Sequence, residues 1–296
     1  AKFKGEAPDI TTAPDYAEAL FDPNLPGSLS HFFSTMSSGQ MELTATVLPK
    51  RYSSHRRADV YVSKVAGEPG KFSQFAIEVL RNADADVNFA DFGNDGPDGV
   101  PNSGDDDGFA DYVFINVLSA PHGFIQNRAT GVPGLRFEET FQSNDTATNG
   151  GTIKVGPLMR GGSLNREGSF SQTVGTMAHE FGHALGLPDL YDIKYEGPRE
   201  DSAGIGKWGL MGWGAHGWEG NDGPNPLTAW SLKHLGWIGD SNSRLKRLTG
   251  DVENLQVTDF FSGGAIYQIA LSAPLDTIMY NADPDMREQL IIENRS

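Results

Sequence analysis

The chain has 296 residues, and 39 acidic against 23 basic side chains give it a formal net charge of −16. A negative field of this size repels nucleic acid and anionic membranes, so neither is expected as a partner. The absence of cysteine excludes disulfide bonds and thiolate metal sites. No apolar run approaches the roughly 20 residues that span a bilayer, and residues 1–10 lack the apolar core of a signal peptide.

Short elements separated by glycine-rich loops follow one another along the chain. Ser28 fits the N-cap of a first helix, and the spacing of apolar residues over 71–83 predicts a second. Alternation of apolar and polar residues predicts two early strands, and a strongly apolar run predicts another. In chain order the patterns predict a helix over 28–36, strands over 41–48 and 58–65, a helix over 71–83, strands over 111–120 and 152–155, helices over 169–185 and 224–237, and terminal strands within 255–296.

The loop of residues 84–111 is dense in aspartate, asparagine and glycine. Its stretch GDDDGFAD places alternate carboxylates around a glycine turn, and NDGPDG before it predicts a second turn of the same kind. Carboxylates held this close repel one another unless a cation neutralises them, and calcium takes about six to eight oxygen ligands. The loop therefore predicts a calcium site, with a solvated acidic loop as the alternative. The candidate ligands are Asp95, Asp98, Asp105, Asp107 and Asp111.

The stretch TMAHEFGHALGLPDLYD, from Thr176 to Asp192, carries the strongest chemical signal in the chain. His179 and His183 stand four residues apart, so on a helix both imidazoles project from one face toward a single ion. Glu180 lies at the edge of that face, where it can deprotonate a water molecule held by the ion. The alternative is an amphipathic helix whose histidines are partly exposed and idle.

The residues after the second histidine favour a catalytic metal site. Gly186 can adopt the left-handed conformation that ends a helix, and Pro188 prevents the helix from resuming. Asp189 then follows the turn and can return a carboxylate to the metal. Two imidazoles and one carboxylate with an open fourth position are typical of catalytic zinc, whereas structural zinc is closed by protein ligands. A downstream glutamate, Glu196 or Glu200, is the alternative third ligand.

The segment HEFGHALGLPD has the form H-E-x-x-H-x-x-G-x-x-D and resembles the metzincin metalloproteases in their aspartate-ligand variant. The stretch KWGLMGWGAHG resembles their methionine-containing turn. Within the metzincins the chain is most similar to the M6 group, the immune inhibitor A peptidases of bacteria. The likeness extends through HEFGHALGLPDLYD, PNPLTAWSLKHLGW, the aspartate-rich loop, EQLIIENRS and the N-terminal LFDPNLPGSLSHFFSTMSSGQMELTATV, and it is poor over residues 119–165.

The resemblance implies a secreted zinc metalloendopeptidase that is made with a pro-segment, often carries C-terminal modules, and acts on proteins and peptides as a monomer. It also implies an α+β, metzincin-like fold. An upper lobe of twisted mixed sheet and helices would comprise residues 1–186, including the zinc helix. A loop-rich lower lobe, residues 187–296, would carry the third ligand, the methionine turn, a helix and the terminal strands, with the active-site cleft between the lobes.

The resemblance also assigns residue roles. Several metzincins use a tyrosine soon after the turn methionine, which here is Met211. No tyrosine occurs between Trp213 and Trp237, and His216 is the nearest polar candidate to stabilise the oxyanion. The zinc ligands would be His179, His183 and Asp189, and the general base would be Glu180.

The chemistry implied is hydrolysis of a peptide bond. Zinc would lower the pKa of its bound water, and Glu180 would take the proton and pass it to the leaving amine. The alternative function, from a different class, is a catalytically inactive calcium-dependent binding or adhesion module on a protease-like fold.

Overall fold

The computed structural model describes residues 1–65, 67–125, 129–137, 140–156, 161–193, 202–239, 242–270 and 289–295. The α-helices in these ranges are α1 (Leu29–Met36), α2 (Phe72–Ala83), α3 (Phe170–Ala184) and α4 (Ala229–His234). The strands are β1 (Val113–Val117), β2 (Gly131–Pro133), β3 (Phe141–Thr146), β4 (Thr152–Val155), β5 (Gly162–Arg166), β6 (Leu245–Leu248), β7 (Ile266–Ala270) and β8 (Gln289–Ile292). The mixture of small sheets and few helices confirms the predicted α+β class.

The chain divides into two compact units. The first consists of Ala1–Phe32 with Leu43–Pro226, and the second of Phe33–Glu42 with Leu227–Ser296. The predicted boundary between residues 186 and 187 separates two lobes on either side of an active-site cleft, whereas the two units are groups of residues that contact one another. The division into lobes therefore stays a prediction. No helix in the described ranges combines the length and the apolar character needed to cross a bilayer.

A three-stranded sheet organises the first unit. Its order is β1-β5-β2, with β5 parallel to β1 and antiparallel to β2. Leu164 at the centre of β5 faces Ile115 of β1 and Val132 of β2 in the register, and all three side chains are buried. Strands β3 and β4 form a separate antiparallel pair. Helix α3 follows β5 directly along the chain. It contacts both β5 and the short edge strand β2.

An aromatic cluster fills the core of the first unit. The rings of Phe3 and Phe75 lie 4.8 Å apart between centroids, and Phe124 lies 4.9 Å from Phe3 and 5.3 Å from Phe75. Tyr61 joins this cluster, and its buried hydroxyl donates a hydrogen bond to Glu78 at 2.5 Å. Edge-to-face pairs of this kind add about 0.5–1.5 kcal/mol each beyond the burial of area. These contacts anchor α2 in the core of the first unit.

The second unit contains a three-stranded sheet of order β6-β7-β8. Strand β7 is parallel to β6 and antiparallel to β8. Thr228 caps α4 by accepting a hydrogen bond from the Ser231 N–H at 3.2 Å, so this helix is shorter than the predicted range of 224–237. Gly236, with φ of +73°, ends the helix in the left-handed conformation that glycine readily adopts.

The two early strands predicted from alternation are wrong. Residues 41–48 form no strand, and the predicted strand over 58–65 begins instead with a 3₁₀ turn, Ala58–Val60. The backbone of this segment bonds to loops: the Ser63 N–H donates to Gly123 O at 2.6 Å, and the Lys71 N–H donates to Tyr61 O at 2.7 Å. Alternation identifies a strand only where a neighbouring strand is available to pair with it.

Candidate metal centre

Helix α3 is fixed at its start and along its apolar face. Ser169 and Gln172 form a capping box, in which each side chain bonds the other residue's backbone N–H. On the apolar face, Val174 and Ala178 are fully buried and the ring of Phe181 lies 4.9 Å from that of Tyr112. The cap and these packed residues fix the direction in which the polar side chains of α3 project.

The two histidines of the motif are oriented by backbone carbonyls. Nδ1 of His179 lies 2.9 Å from the carbonyl oxygen of Leu210, and Nδ1 of His183 lies 2.8 Å from that of Leu187. A carbonyl can only accept, so each Nδ1 carries the proton and each Nε2 keeps its lone pair. Both rings are largely buried, and their centroids are 4.9 Å apart. A hydrogen bond from Nδ1 to a backbone carbonyl is typical of histidines that bind a metal through Nε2.

The turn after α3 brings Asp189 back to the histidines. Gly186 has a φ of +100°, and the Leu187 N–H reaches back to Gly182 O at 3.0 Å, which closes the helix end. Oδ1 of Asp189 then lies 3.1 Å from Nε2 of His179 and 3.4 Å from Nε2 of His183. The ligand atoms of these three residues all lie within 4.8 Å of one another.

The charges and bonding of this group fit a divalent cation. Oδ1 of Asp189 is buried close to both imidazoles but makes no hydrogen bond of good geometry among the described residues, as expected for atoms that surround a shared point. Burial alone would raise the pKa of Asp189, but His179 and His183 hold it well below its usual range. Burial also works to lower the pKa of His179, and the carboxylates of Asp189 and Glu180 overcome this and raise it. Two nitrogens and one oxygen are a donor set that suits zinc.

Glu180 is held in a tight, dry place beside the three ligands. Its side chain is 5% exposed, and its Oε2 has no hydrogen-bond partner among the described residues. Burial raises the pKa of Glu180 to about 7, against the opposing effect of His179 and His183. Gly131 of β2 lies directly against it, since a Cβ added there would be 2.6 Å from Glu180 Oε1. The glycine, which no sequence motif singled out, makes room for the carboxylate.

The side chain of Met211 packs against α3 at Gly182, next to His183 in the sequence. The side chain is 1% exposed, and a Cβ added at Gly182 would be 2.7 Å from its Sδ. The Met211 carbonyl accepts a hydrogen bond from the Leu190 N–H at 2.8 Å, next to Asp189. Met211 thus contacts both α3 and the segment that carries Asp189. The carbonyl of the preceding residue, Leu210, orients His179.

His216 contacts α3 at Thr176, one helical turn before Glu180. Its Nε2 is 3.0 Å from Oγ1 of Thr176, which is itself 3.3 Å from Oγ1 of Thr130, beside β2. Burial lowers the pKa of His216, and the neighbouring His179 and Arg166 act in the same direction. The segment packs closely on α3, because a Cβ added at Gly175 would lie 1.8 Å from Ala215 O.

The aspartate-rich loop is ordered by its own backbone. Asp106, which the sequence motif did not single out, is buried and accepts hydrogen bonds from the N–H groups of Gly96 at 2.8 Å and Ser103 at 2.6 Å. Asp107 accepts one from the Phe109 N–H at 2.7 Å. Asp106 therefore organises the loop, and it does so through hydrogen bonds that need no cation.

The predicted calcium ligands do not gather as the zinc ligands do. Within the described ranges, the group of His179, His183 and Asp189 is the one set of three or more metal-binding side chains with ligand atoms this close together. Burial raises the pKa of Asp111, and the nearby carboxylates add to the effect. The predicted calcium ligands, none of which belongs to this group, are Asp95, Asp98, Asp105, Asp107 and Asp111. The alternative third zinc ligands, Glu196 and Glu200, lie outside the described residues.

Part of the chain is similar to known proteins. A family model described as the catalytic domain of immune inhibitor A peptidase M6 matches residues 145–242. Two curated relatives, both "Pre-pro-metalloprotease PrtV" from Vibrio cholerae serotype O1 (strains M66-2 and ATCC 39315 / El Tor Inaba N16961), are 44% identical over 65 residues. That alignment covers 21% of this chain and only 6% of each relative's length. The predicted resemblance to the M6 peptidases is therefore confirmed over residues 145–242, which carry the histidine helix, and it supports a metallopeptidase.

Proposed function

We propose that this chain carries the catalytic site of a zinc-dependent endopeptidase of metzincin type. The observation that carries the proposal is the convergence of three ligand atoms, two imidazole nitrogens and one carboxylate oxygen, within 4.8 Å of one another. The helix that supplies the imidazoles also carries a buried glutamate next to the first of them. An isolated structural ion would not need that unpaired carboxylate.

His179, His183 and Asp189 would hold the zinc ion through Nε2, Nε2 and a carboxylate oxygen. Zinc bound in this way acts as a Lewis acid that polarises a peptide carbonyl and makes a water molecule more acidic. Glu180 accepts the proton of the attacking water and returns it to the nitrogen of the leaving amine. Its raised pKa suits both steps, because a carboxyl group that titrates near neutrality can take up and release a proton at similar cost.

His216 is proposed to stabilise the negative charge that develops on the carbonyl oxygen. What supports this is its contact with Thr176, which lies one helical turn before Glu180 and orients the ring, together with a lowered pKa that favours the neutral, hydrogen-bonding form. His216→Ala is expected to lower kcat by about 10²- to 10³-fold with zinc content unchanged. A kcat equal to that of the wild type in a steady-state peptide assay would contradict this role.

Metal removal tests the proposed function directly. Stripping the protein with a zinc chelator is expected to abolish cleavage of casein, and adding zinc back, but not magnesium, is expected to restore it. The bound metal also stabilises the folded state, so the melting temperature should fall on stripping and recover with zinc. Undiminished cleavage by protein shown by atomic absorption to be free of metal would overturn the proposal.

Calcium in the aspartate-rich loop is a separate proposal. What supports it is charge repulsion: Asp95, Asp106 and Asp107 all act to raise the pKa of Asp111, and a cation would relieve this. Calcium is then expected to raise the melting temperature of the wild type and to do so much less in Asp107→Asn/Asp111→Asn. A wild-type melting temperature that does not respond to millimolar calcium would contradict a site here.

Secretion, a removed pro-segment, a monomeric state and two lobes around a cleft are also proposed. The name of the two relatives, pre-pro-metalloprotease, supports export and processing. Recovery of the protein from producing cells but never from the medium would contradict export. The remaining candidate function is an inactive calcium-dependent binding module, and it would be favoured if zinc-loaded protein cleaved no protein substrate.

A further inference from the structure

The segment that contains Met211 also exposes a group of tryptophans. Three of the chain's five tryptophans lie within the eleven residues from Trp208 to Trp218, with Trp213 between them. The exposed fractions are 71% for Trp208, 56% for Trp213 and 48% for Trp218. Single exposed apolar side chains are common on protein surfaces, whereas grouped ones mark a surface that binds something.

Trp208 and Trp218 form a pair that the loop holds in place. Their ring centroids are 4.9 Å apart, and the ring planes meet at 83°. The carbonyl of Lys207 accepts a hydrogen bond from the Asn225 side chain at 2.6 Å, and the Lys207 ammonium donates to the Trp218 carbonyl. The Trp218 N–H donates to Asp222 at 3.1 Å. The backbone beside each indole is therefore fixed, and the two perpendicular rings form an apolar corner.

This tryptophan corner lies a few substrate residues away from the candidate metal centre, in the same unit of the chain. Trp208 precedes Leu210 by two residues, which span at most about 7 Å. The Leu210 carbonyl oxygen in turn lies 2.9 Å from Nδ1 of His179. With the width of the imidazole added, the corner is roughly 10–15 Å from the proposed ion, which an extended peptide covers in about three to five residues.

We propose that Trp208 and Trp218 form a secondary substrate-binding site, which takes a bulky apolar side chain of a protein substrate about three to five residues from the cleaved bond. This inference rests on the proposed function and adds a feature of the substrate to it. Two perpendicular indoles contact such a side chain on two sides at once. Fixed tryptophans are also enriched among the residues that dominate binding energies.

The surroundings of the corner favour a protein substrate over other occupants. The N–H groups of Glu219 and Trp218 donate to the exposed Asp222 and hold its pKa below its usual range, so this carboxylate stays ionised. Together with the net charge of −16, it repels nucleic acid and anionic lipid. The corner also shares its segment with the Leu210 carbonyl and with His216, which the proposed function places at the reacting peptide bond.

The test compares Trp208→Ala and Trp218→Ala with Trp230→Ala. Trp230 is an exposed tryptophan of the second unit that stacks on His234, so it controls for the loss of a surface indole. The substrates are casein and quenched fluorescent peptides built on one casein cleavage site. A short peptide has about four residues, and long peptides add a phenylalanine about three to five residues from the cleaved bond, on either side.

The expected effect is confined to the substrates that reach the corner. For casein and for one of the long peptides, KM should rise about 10- to 30-fold in Trp208→Ala and Trp218→Ala, with kcat within about twofold of wild type. Cleavage of the short peptide should be unchanged in both variants, and Trp230→Ala should match the wild type on every substrate.

Binding is also measured without turnover, by fluorescence anisotropy of the labelled long peptide on protein that carries Glu180→Ala. Replacing the peptide's phenylalanine by alanine should weaken binding to this protein. The same replacement should cost nothing further once Trp208→Ala is added, because the two changes remove one contact. A general loss of structure would not produce this coupling.

Equal KM values for casein and all long peptides in the wild type and both variants would overturn this inference and leave the proposed function standing. An equal loss on short and long peptides would overturn it too, since the effect would then lie at the cleaved bond. So would binding to phosphatidylcholine vesicles that Trp208→Ala abolishes while casein cleavage stays intact, because the corner would then serve a lipid surface.

A zinc-loaded wild type that cleaves neither casein nor the peptides would instead overturn the proposed function. If Trp208→Ala does not fold, Trp208→Phe, which keeps an aromatic ring, and Trp208→Gln, which has none, are compared. Trp208→Phe should then bind the long peptide more tightly, and equal affinities in these two variants would contradict the inference.

Discussion

Glu180→Ala is expected to keep its zinc and to lose catalysis. A positioned general base contributes roughly 10²- to 10⁴-fold to the rate, so kcat for casein or peptide cleavage should fall by at least that range. Zinc should stay bound because the three proposed ligands and the carbonyls that orient the two imidazoles are untouched. The measurement is the rate of casein cleavage beside the zinc content of the same sample.

Two controls separate the role of this carboxylate from a packing effect. Glu180→Gln keeps the volume that fits against Gly131 but cannot accept a proton, so its kcat should fall as far as that of Glu180→Ala. Glu219→Ala removes an exposed carboxylate and should leave the rate unchanged. Near-normal turnover in either Glu180 variant would reject the mechanism, and loss of zinc would show that Glu180 supports the site structurally.

Helices α2 and α3 could be predicted because their signals are local. In α2, the buried residues repeat at helical spacing on one face, and in α3 the cap, the motif and the terminating glycine all lie within the segment itself. The predicted start of α3 at Ser169 is confirmed by the capping box. Signals of this kind need no knowledge of the rest of the fold.

The central sheet could not be predicted in the same way. Strand β5 carries Ser163 and Asn165, both buried, where alternation would require apolar residues or exposure. It is recognised as a strand only by its pairing with β1 and β2, which are distant in sequence. Residues 41–48 have the opposite character, since they alternate well but form no strand. Pairing depends on tertiary structure, and the pattern alone does not contain it.

The candidate site likewise contains residues that local sequence signals predict and residues that only the folded structure reveals. The three ligands and Glu180 lie within eleven residues, so a spacing rule reaches all of them. Gly131 and Leu210 act through contacts that only the fold creates: the first clears space for Glu180, and the second orients His179. Specificity pockets are also assembled from distant loops, which is why the sequence predicts the reaction and not the preferred peptide.

Asp189→Asn is expected to lose zinc, with an effect larger than that of any outer contact. The amide keeps the shape of the side chain but removes the negative charge that lies 3.1 Å and 3.4 Å from the two imidazole nitrogens. Outer partners change metal affinity by about 10- to 100-fold, so replacing a ligand should exceed about 100-fold and abolish cleavage at micromolar zinc. Competition with a chromophoric chelator measures the affinity, and casein cleavage at rising zinc concentration measures the activity.

Asp192→Asn provides the matched control, because it makes the same substitution in the same short segment. The carboxylate of Asp192 is not in the group of converging ligand atoms, so this variant should bind zinc with wild-type affinity. If Asp189→Asn also bound zinc normally, the third ligand would have to be another residue, and Glu196 and Glu200 would be the first to substitute. If both variants lost zinc equally, the loss would reflect the conformation of the segment, since only a ligand role separates the two aspartates.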